Sequence, residues 1–207
     1  MHKVIEPNIL YFGTPVVLIS TKNEDGSANL APMSSAWWLN QSCMLGMSSR
    51  SKTFQNLLRE KECVLNLPSA DLVSHVDRLA LLTGSNPVPE YKLQQGYRYE
   101  PNKFETAGLS QQPSDRVKAP RVAECPVQLE ATLTQVHDFS PPSFLASIEV
   151  AITRVHVDKK LIMTSGNNYI DPEKWNPLIM NFCEFFGLSG KLQPSRLAPI
   201  FRPIPAK

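Results

Sequence analysis

Thr14-Pro15-Val16-Val17-Leu18-Ile19-Ser20-Thr21-Lys22-Asn23-Glu24-Asp25-Gly26-Ser27-Ala28-Asn29-Leu30-Ala31-Pro32-Met33-Ser34-Ser35 is the stretch on which the fold turns. The β-branched apolar run over 14–22 reads as a strand. Asn23-Glu24-Asp25-Gly26 supplies Asp-Gly turn chemistry, and a second strand starts at Ala28. The chain therefore opens with an antiparallel hairpin. Small residues and Pro32 in its second strand mark an irregular strand whose backbone another group can approach closely.

Downstream, 34–40 and 43–48 read as two more strands. The period then changes: Phe54, Leu57 and Leu58 recur at helical spacing in 51–60, with Ser49 or Ser51 available as N-cap. Residues 63–67 form a strand stopped by Pro68. Residues 69–82 read as a second helix, with Leu72, Val76 and Leu79 on one face and Gly84 as its C-cap. The region of about 85–123 is polar, rich in proline and aromatic residues, and lacks sustained periodicity. It is an irregular insertion of the kind that serves a function or packs on a partner.

The strand signal returns at Val127, Leu129, Ala131 and Leu133. These alternate with Gln128, Glu130, Thr132 and Thr134, which predicts one buried and one wet face. A strand over 147–157 repeats the pattern after a turn at Pro141-Pro142. A closing helix is predicted over 177–186, with Asn176 as N-cap, Pro177 at N1 and Leu178, Phe182, Phe185 and Phe186 on its apolar face. The helix and a Pro-rich arm make up about 172–207. Short antiparallel strands without βαβ alternation or a G-x-G-x-x-G fingerprint argue for a single mainly β barrel domain over 1–207.

Composition narrows the function classes. With 42% hydrophobic and 19% charged residues the chain is an ordinary globular protein. Its net charge of +2 supplies no basic face for nucleic acid. Cys43, Cys63, Cys125 and Cys183 are far apart, without a C-x-x-C pair, and read as free thiols of a reducing compartment. No apolar leader region or stretch of membrane-spanning length is present, so the cytoplasm is expected. His75, His137 and His156 lack metal-ligand spacing, and no metal is expected.

Two segments could carry chemistry. Ser48-Ser49-Arg50-Ser51-Lys52-Thr53-Phe54-Gln55-Asn56 runs from a strand end into a helix start. Free N–H groups, hydroxyls and two cations there form an anion site, or else a capped helix with a solvated basic edge. In the second segment, 25–38, adjacent Trp37 and Trp38 must point to opposite faces. One can enter the core while the other meets a ligand, a partner or water; alternatively this is an edge strand with interface aromatics.

Together these segments resemble the flavin reductase-like family of FMN-binding split-barrel proteins, flavoredoxin-like in pattern. The likeness is carried by 13–21, Asp25-Gly26 through Ser35, Ser48 to Thr53 with Asn56, 64–68, Lys103-Phe104-Glu105-Thr106-Ala107-Gly108-Leu109 and 120–130. It covers most of the chain to about Val157, and 175–196 departs from the family's pattern. The resemblance implies a six-stranded antiparallel Greek-key barrel with flanking helices, forming a homodimer with flavin near the interface. It implies FMN as cofactor, reduced by NADH or NADPH. Asn29, Ala31, Pro32, Met33, Ser34 and Ser35 would lie along the isoalloxazine and ribityl chain. Ser48, Ser49, Arg50, Lys52, Thr53 and Asn56 would take the phosphate. Trp37 or Trp38 would border the nicotinamide side. The expected activity is a flavin reductase-like oxidoreductase passing a hydride from NAD(P)H to flavin and on to an unidentified acceptor. No catalytic side chain is required, because the flavin carries the chemistry. The alternatives are a non-catalytic FMN electron carrier and an FMN oxidase of the pyridoxamine-phosphate type.

Overall fold

The computed structural model describes residues 1–139, 144–164 and 168–201; the turn expected at Pro141-Pro142 lies outside them. The chain starts with β1 (Phe12–Pro15), β2 (Val17–Lys22), β3 (Ala28–Met33), β4 (Ala36–Leu39) and β5 (Ser42–Ser48). Helix α1 (Lys52–Glu60) leads into β6 (Glu62–Leu67), a 3-10 turn at Ala70–Leu72, and α2 (Val73–Asp77). Only short pieces follow: β7 (Leu82–Thr83), α3 (Glu90–Leu93), β8 (Arg98–Tyr99), α4 (Lys103–Ala107), β9 (Gln111–Gln112) and β10 (Arg121–Val122). The long strands β11 (Val127–Phe139) and β12 (Leu145–Val157) come next. Then follow β13 (Ile179–Asn181), β14 (Glu184–Phe186) and α5 (Ala198–Phe201).

The main sheet has the order β3-β2-β6-β11-β12-β5-β4, with every neighbouring pair antiparallel. Its seven strands exceed the six implied by the resemblance. The two edge strands are consecutive in the chain, Met33 of β3 being followed within three residues by Ala36 of β4. Three Cα steps reach at most roughly 11 Å. A flat sheet of this width would hold its edges roughly 29 Å apart. The sheet must therefore curl until its edges almost meet. They do not pair with each other, which makes a split barrel.

Alternation along the strands sorts side chains to the two faces. Val17, Ile19, Cys43, Leu45, Cys63, Leu65, Ile148 and Val150 fill the barrel, and α1 closes one end with Phe54 and Leu57. On the outer face Val16, Leu18, Ala28 and Leu30 pack under α2 and α4 with Val76, Leu79, Phe104 and Ala107. Each fully buried Leu or Ile of this kind contributes about 1.5–3 kcal/mol. The outer face of β11 also differs from expectation. Gln128 and Glu130 are buried, because residues 111–121 of the insertion fold across the side that alternation assigns to water.

Two helices are corrected. The one predicted over 69–82 breaks into the 3-10 turn and the short α2, and Gly84 follows β7 instead of capping it. The helix predicted over 177–186 is the hairpin β13–β14, whose first strand pairs with β1. Phe182 and Cys183 form its tight turn with φ of 48° and 64°. Of the region 172–207, only Ala198–Phe201 is α-helical among the described residues.

Candidate functional site

The end of the barrel closed by α1 holds a cluster of buried polar side chains. Ser51 adopts an extended backbone, and its Oγ accepts the Phe54 N–H at 3.1 Å, so it caps α1 as the sequence suggests. Starting the helix there turns Phe54 and Leu57 into the barrel and aims Thr53 and Asn56 at β2 and β3. Asn29, Thr53 and Asn56 are buried. Asn29 Nδ2 donates to Thr53 Oγ1 at 3.1 Å and to Thr21 Oγ1 at 3.3 Å. Asn56 Nδ2 donates to Thr21 Oγ1 at 3.1 Å and Asn23 Oδ1 at 2.8 Å, while its Oδ1 accepts from Arg59. Asn56 thus has its whole amide committed within the protein and braces the site from beneath.

The insertion adds a group that sequence reasoning missed as a site residue. Lys103, at the start of α4, is only 4% exposed, and its Nζ donates to Asn29 Oδ1 at 3.0 Å. Among the described residues no carboxylate lies within 4 Å of it. Burial, with a smaller push from the Lys92 charge, draws its pKa down to about 8, and Glu100 only partly offsets this. Gly84 closes the same corner: a Cβ there would meet Asn29 Oδ1 at 2.7 Å and Lys52 Cγ at 3.2 Å. A buried cation with no carboxylate in contact, beside the N–H groups of a helix start, is an arrangement that fits an anionic group.

The remaining predicted residues separate around this point. Lys52 packs along Gly84, beside Asn29. Ser49 is drawn toward the β11–β12 hairpin, its N–H donating to Phe144 O at 2.8 Å, and the Arg50 guanidinium lies over the Phe144 ring. Ser48 Oγ accepts the Arg50 N–H. Ala31, Pro32 and Met33 are half-buried on β3, opposite Ile19, Leu18 and Val17. Ser34 and Ser35 bridge the two edges of the sheet. The Ser35 carbonyl accepts the Gly46 N–H at 2.7 Å, and Ser35 Oγ lies 3.2 Å from the Tyr11 hydroxyl. Trp38 packs on the barrel core and Trp37 is 58% exposed, so the two indoles divide between the faces as expected.

On the opposite side of β11, His156 Nε2 lies 2.6 Å from Glu130 Oε1, a pairing the sequence did not suggest. Glu130 also accepts the N–H groups of Asp115, Arg116 and Val117. Asp115, Glu130 and His156 bring their ligand atoms within 4.8 Å of one another, but the three N–H groups aim positive partial charge at the carboxylate. The cluster is a latch holding the insertion against β11, and a cation would have to displace those donors.

Residues 9–169 match the family described as flavin reductase like domain. A protein of Bacillus subtilis (strain 168), YdfE, described as uncharacterized, is 40% identical over 186 residues, covering 90% of this chain and 89% of that protein. Among solved structures, flavoredoxin of Desulfovibrio vulgaris (Miyazaki F) superposes with a TM-score of 0.79 at 23% identity, over 96% of this chain and 99% of that one. Nitrilotriacetate monooxygenase component B from Bacillus cereus does so with a TM-score of 0.70 at 17% identity, over 90% and 89%. These two likenesses concern the fold, in agreement with the split barrel described above. With the family match running through the barrel, α1, the insertion and the β11–β12 hairpin, the chain belongs to the flavin reductase-like domain family.

Proposed function

We propose that this chain is an FMN-dependent oxidoreductase. The observation that carries the proposal is Lys103, a buried ammonium without a carboxylate partner, aimed at the Asn29–Thr53 corner where α1 begins. A phosphate is the anion that suits a helix start flanked by hydroxyls and lysines. Thr53, Lys52 and Lys103 would hold it, with Asn29 orienting both Thr53 and Lys103. The half-buried strand 31–35 would lie against the ring system and ribityl chain. When bound, FMN supplies the redox chemistry, taking a hydride from NADH or NADPH and passing it to an acceptor. The protein's part is to orient the ring, exclude water and set the charge around it. No pair of acid–base side chains is needed for that task.

Homodimer formation with flavin near the interface is part of the proposal. It is supported by the edge strand β4, which exposes Trp37 and Leu39 beside Ser34 and Ser35. A cytoplasmic location is proposed from the buried free cysteines, and among the described residues no helix is long and apolar enough to cross a membrane. The test is an absorption spectrum of the purified protein before and after adding FMN, followed by anaerobic addition of NADH and NADPH. The expected result is tight uptake of FMN and bleaching of the flavin band by one of the nucleotides. A protein that takes up no flavin refutes the proposal. One that binds FMN but is not reduced is an electron carrier instead.

A further inference from the structure

The corner around Lys103 continues along β7 and α3 into a second group of unanswered donors. Thr83 is buried, and its Oγ1 accepts from Lys92 Nζ at 3.2 Å and from the Ser85 N–H at 3.3 Å. Both bonds are accepted, so the hydroxyl hydrogen remains to be given. Ser85 Oγ is buried without a hydrogen-bond partner among the described residues. Lys92 has no carboxylate within 4 Å among those residues; its ammonium lies 5.4 Å from the centre of the Tyr97 ring. Glu100, the acid that acts on Lys103, already accepts the Asn102 N–H and pairs with Arg98.

Lys92 donates to Thr83, next in the chain to Gly84, and Lys103 donates to Asn29 Oδ1, the atom on which Gly84 abuts; the two lysines thus stand beside two hydroxyls, with no carboxylate within 4 Å of either ammonium among the described residues. A structural cluster would satisfy itself with a carboxylate or splay its lysines into water. Gly84, between Thr83 and Ser85, keeps this corner free of a side chain, since a Cβ there would run into Asn29 Oδ1 and Lys52 Cγ.

We propose that Thr83, Ser85 and Lys92 form a second phosphoryl subsite adjoining the flavin phosphate site, an inference that rests on the flavin reading above. The chemistry it recognises is a phosphoryl group further along a nucleotide. That group belongs either to the outer phosphate of a flavin dinucleotide or to the pyridine nucleotide. Lys92 is then a specificity-determining residue that touches neither the flavin ring nor its first phosphate.

The experiment compares the wild-type protein with Lys92→Gln and Ser85→Ala, each checked for an unchanged thermal transition. Dissociation constants for riboflavin, FMN and FAD are measured by flavin fluorescence, and those for NADH and NADPH by their own fluorescence. A hydrogen bond to a charged group contributes enough for a roughly tenfold or greater effect. The expected result is that Lys92→Gln weakens FAD, or the pyridine nucleotides, by at least that factor. FMN and riboflavin change by less than about threefold, and Ser85→Ala follows in the same direction. FAD alone responding assigns the subsite to the flavin dinucleotide; the pyridine nucleotides alone responding assigns it to the reductant. Equal weakening of FMN and FAD overturns the inference, because Lys92 would then serve the first phosphate. So does a set of constants that none of the substitutions moves. A wild-type protein that binds no flavin removes the flavin reading itself, and the adjoining subsite falls with it.

Discussion

Replacing Lys103 by Met separates the two demands placed on that residue. Burial lowers the lysine pKa from 10.5 to about 8. A drop of that size disfavours the charged form by about 3 kcal/mol relative to water. Met keeps much of the length and removes the charge. It also strips Asn29 Oδ1 of its donor, which costs about 1–3 kcal/mol. The flavin-free variant should therefore be as stable as the wild type or more stable by up to about 2 kcal/mol. Its affinity for FMN should fall roughly 10- to 100-fold through loss of a charge-assisted bond to phosphate. The folded lysine binds its proton less tightly than the unfolded one. The destabilising contribution is accordingly full below about pH 8 and disappears as pH rises toward 10.5. Between those values wild-type stability should gain relative to the variant. Urea unfolding without flavin across that range, with FMN titration at pH 7, provides both readouts. A variant destabilised by more than about 2 kcal/mol with unchanged FMN affinity would make Lys103 a structural strut and refute the reasoning.

Other consequences can be checked independently. Burial alone would raise the Glu130 carboxyl, but the Asp115 N–H, His156 and the Arg116 N–H outweigh it and hold the pKa below 4.5. Its stabilisation is thus present above the usual carboxylate range and lost as pH falls through the lowered value. Glu130→Gln should cost about 2–4 kcal/mol at pH 7, with the gap narrowing as acid protonates the carboxylate; a gap that does not change with pH down to acid unfolding would contradict this. The Trp38 Nε1–H is buried without a partner among the described residues, so Trp38→Phe should shift stability by less than about 1 kcal/mol, whereas Trp38→Ala should cost about 2–4 kcal/mol. Trp37→Ala should leave the protomer within about 0.5 kcal/mol and weaken dimerisation, read by analytical ultracentrifugation. Burial pushes the Cys43 thiol up to about 12 and raises Cys63 and Cys125 as well, while Cys183 is exposed. One thiol should react quickly with a disulfide reagent at pH 8 in the native protein and four in denaturant; two fast thiols would show that the barrel opens.

Local signals were readable where neighbours in sequence are neighbours in space. The β2–β3 hairpin, the Ser51 cap and the Phe54–Leu57 face of α1 all depend on residues within a few positions. The closing hairpin was not readable, because Leu178, Phe182, Phe185 and Phe186 repeat at helical spacing. The true turn places Phe182 and Cys183 at positive φ, where Gly or Asn is the usual signal. What holds it is pairing to β1, at the other end of the chain. Lys103 escaped notice as a site residue for a similar reason: in a polar insertion a lysine reads as solvated, and only the fold carries it beneath Asn29. The Glu130 position followed alternation correctly, but alternation is silent about a loop that later covers the outer face.

The β11–β12 hairpin is wedged between β6 and β5, so each of its strands completes its ladder on a segment far back in the chain. Hairpins close in microseconds, whereas joining distant strands carries the full entropy of the intervening chain. During refolding, and during synthesis from the N-terminus, β5 and β6 must wait as open edges until residues 127–157 arrive. Open edges pair with other molecules as readily as with their own. Recovery after denaturation should therefore fall as protein concentration rises, and the timing of that one insertion governs the yield of folded protein.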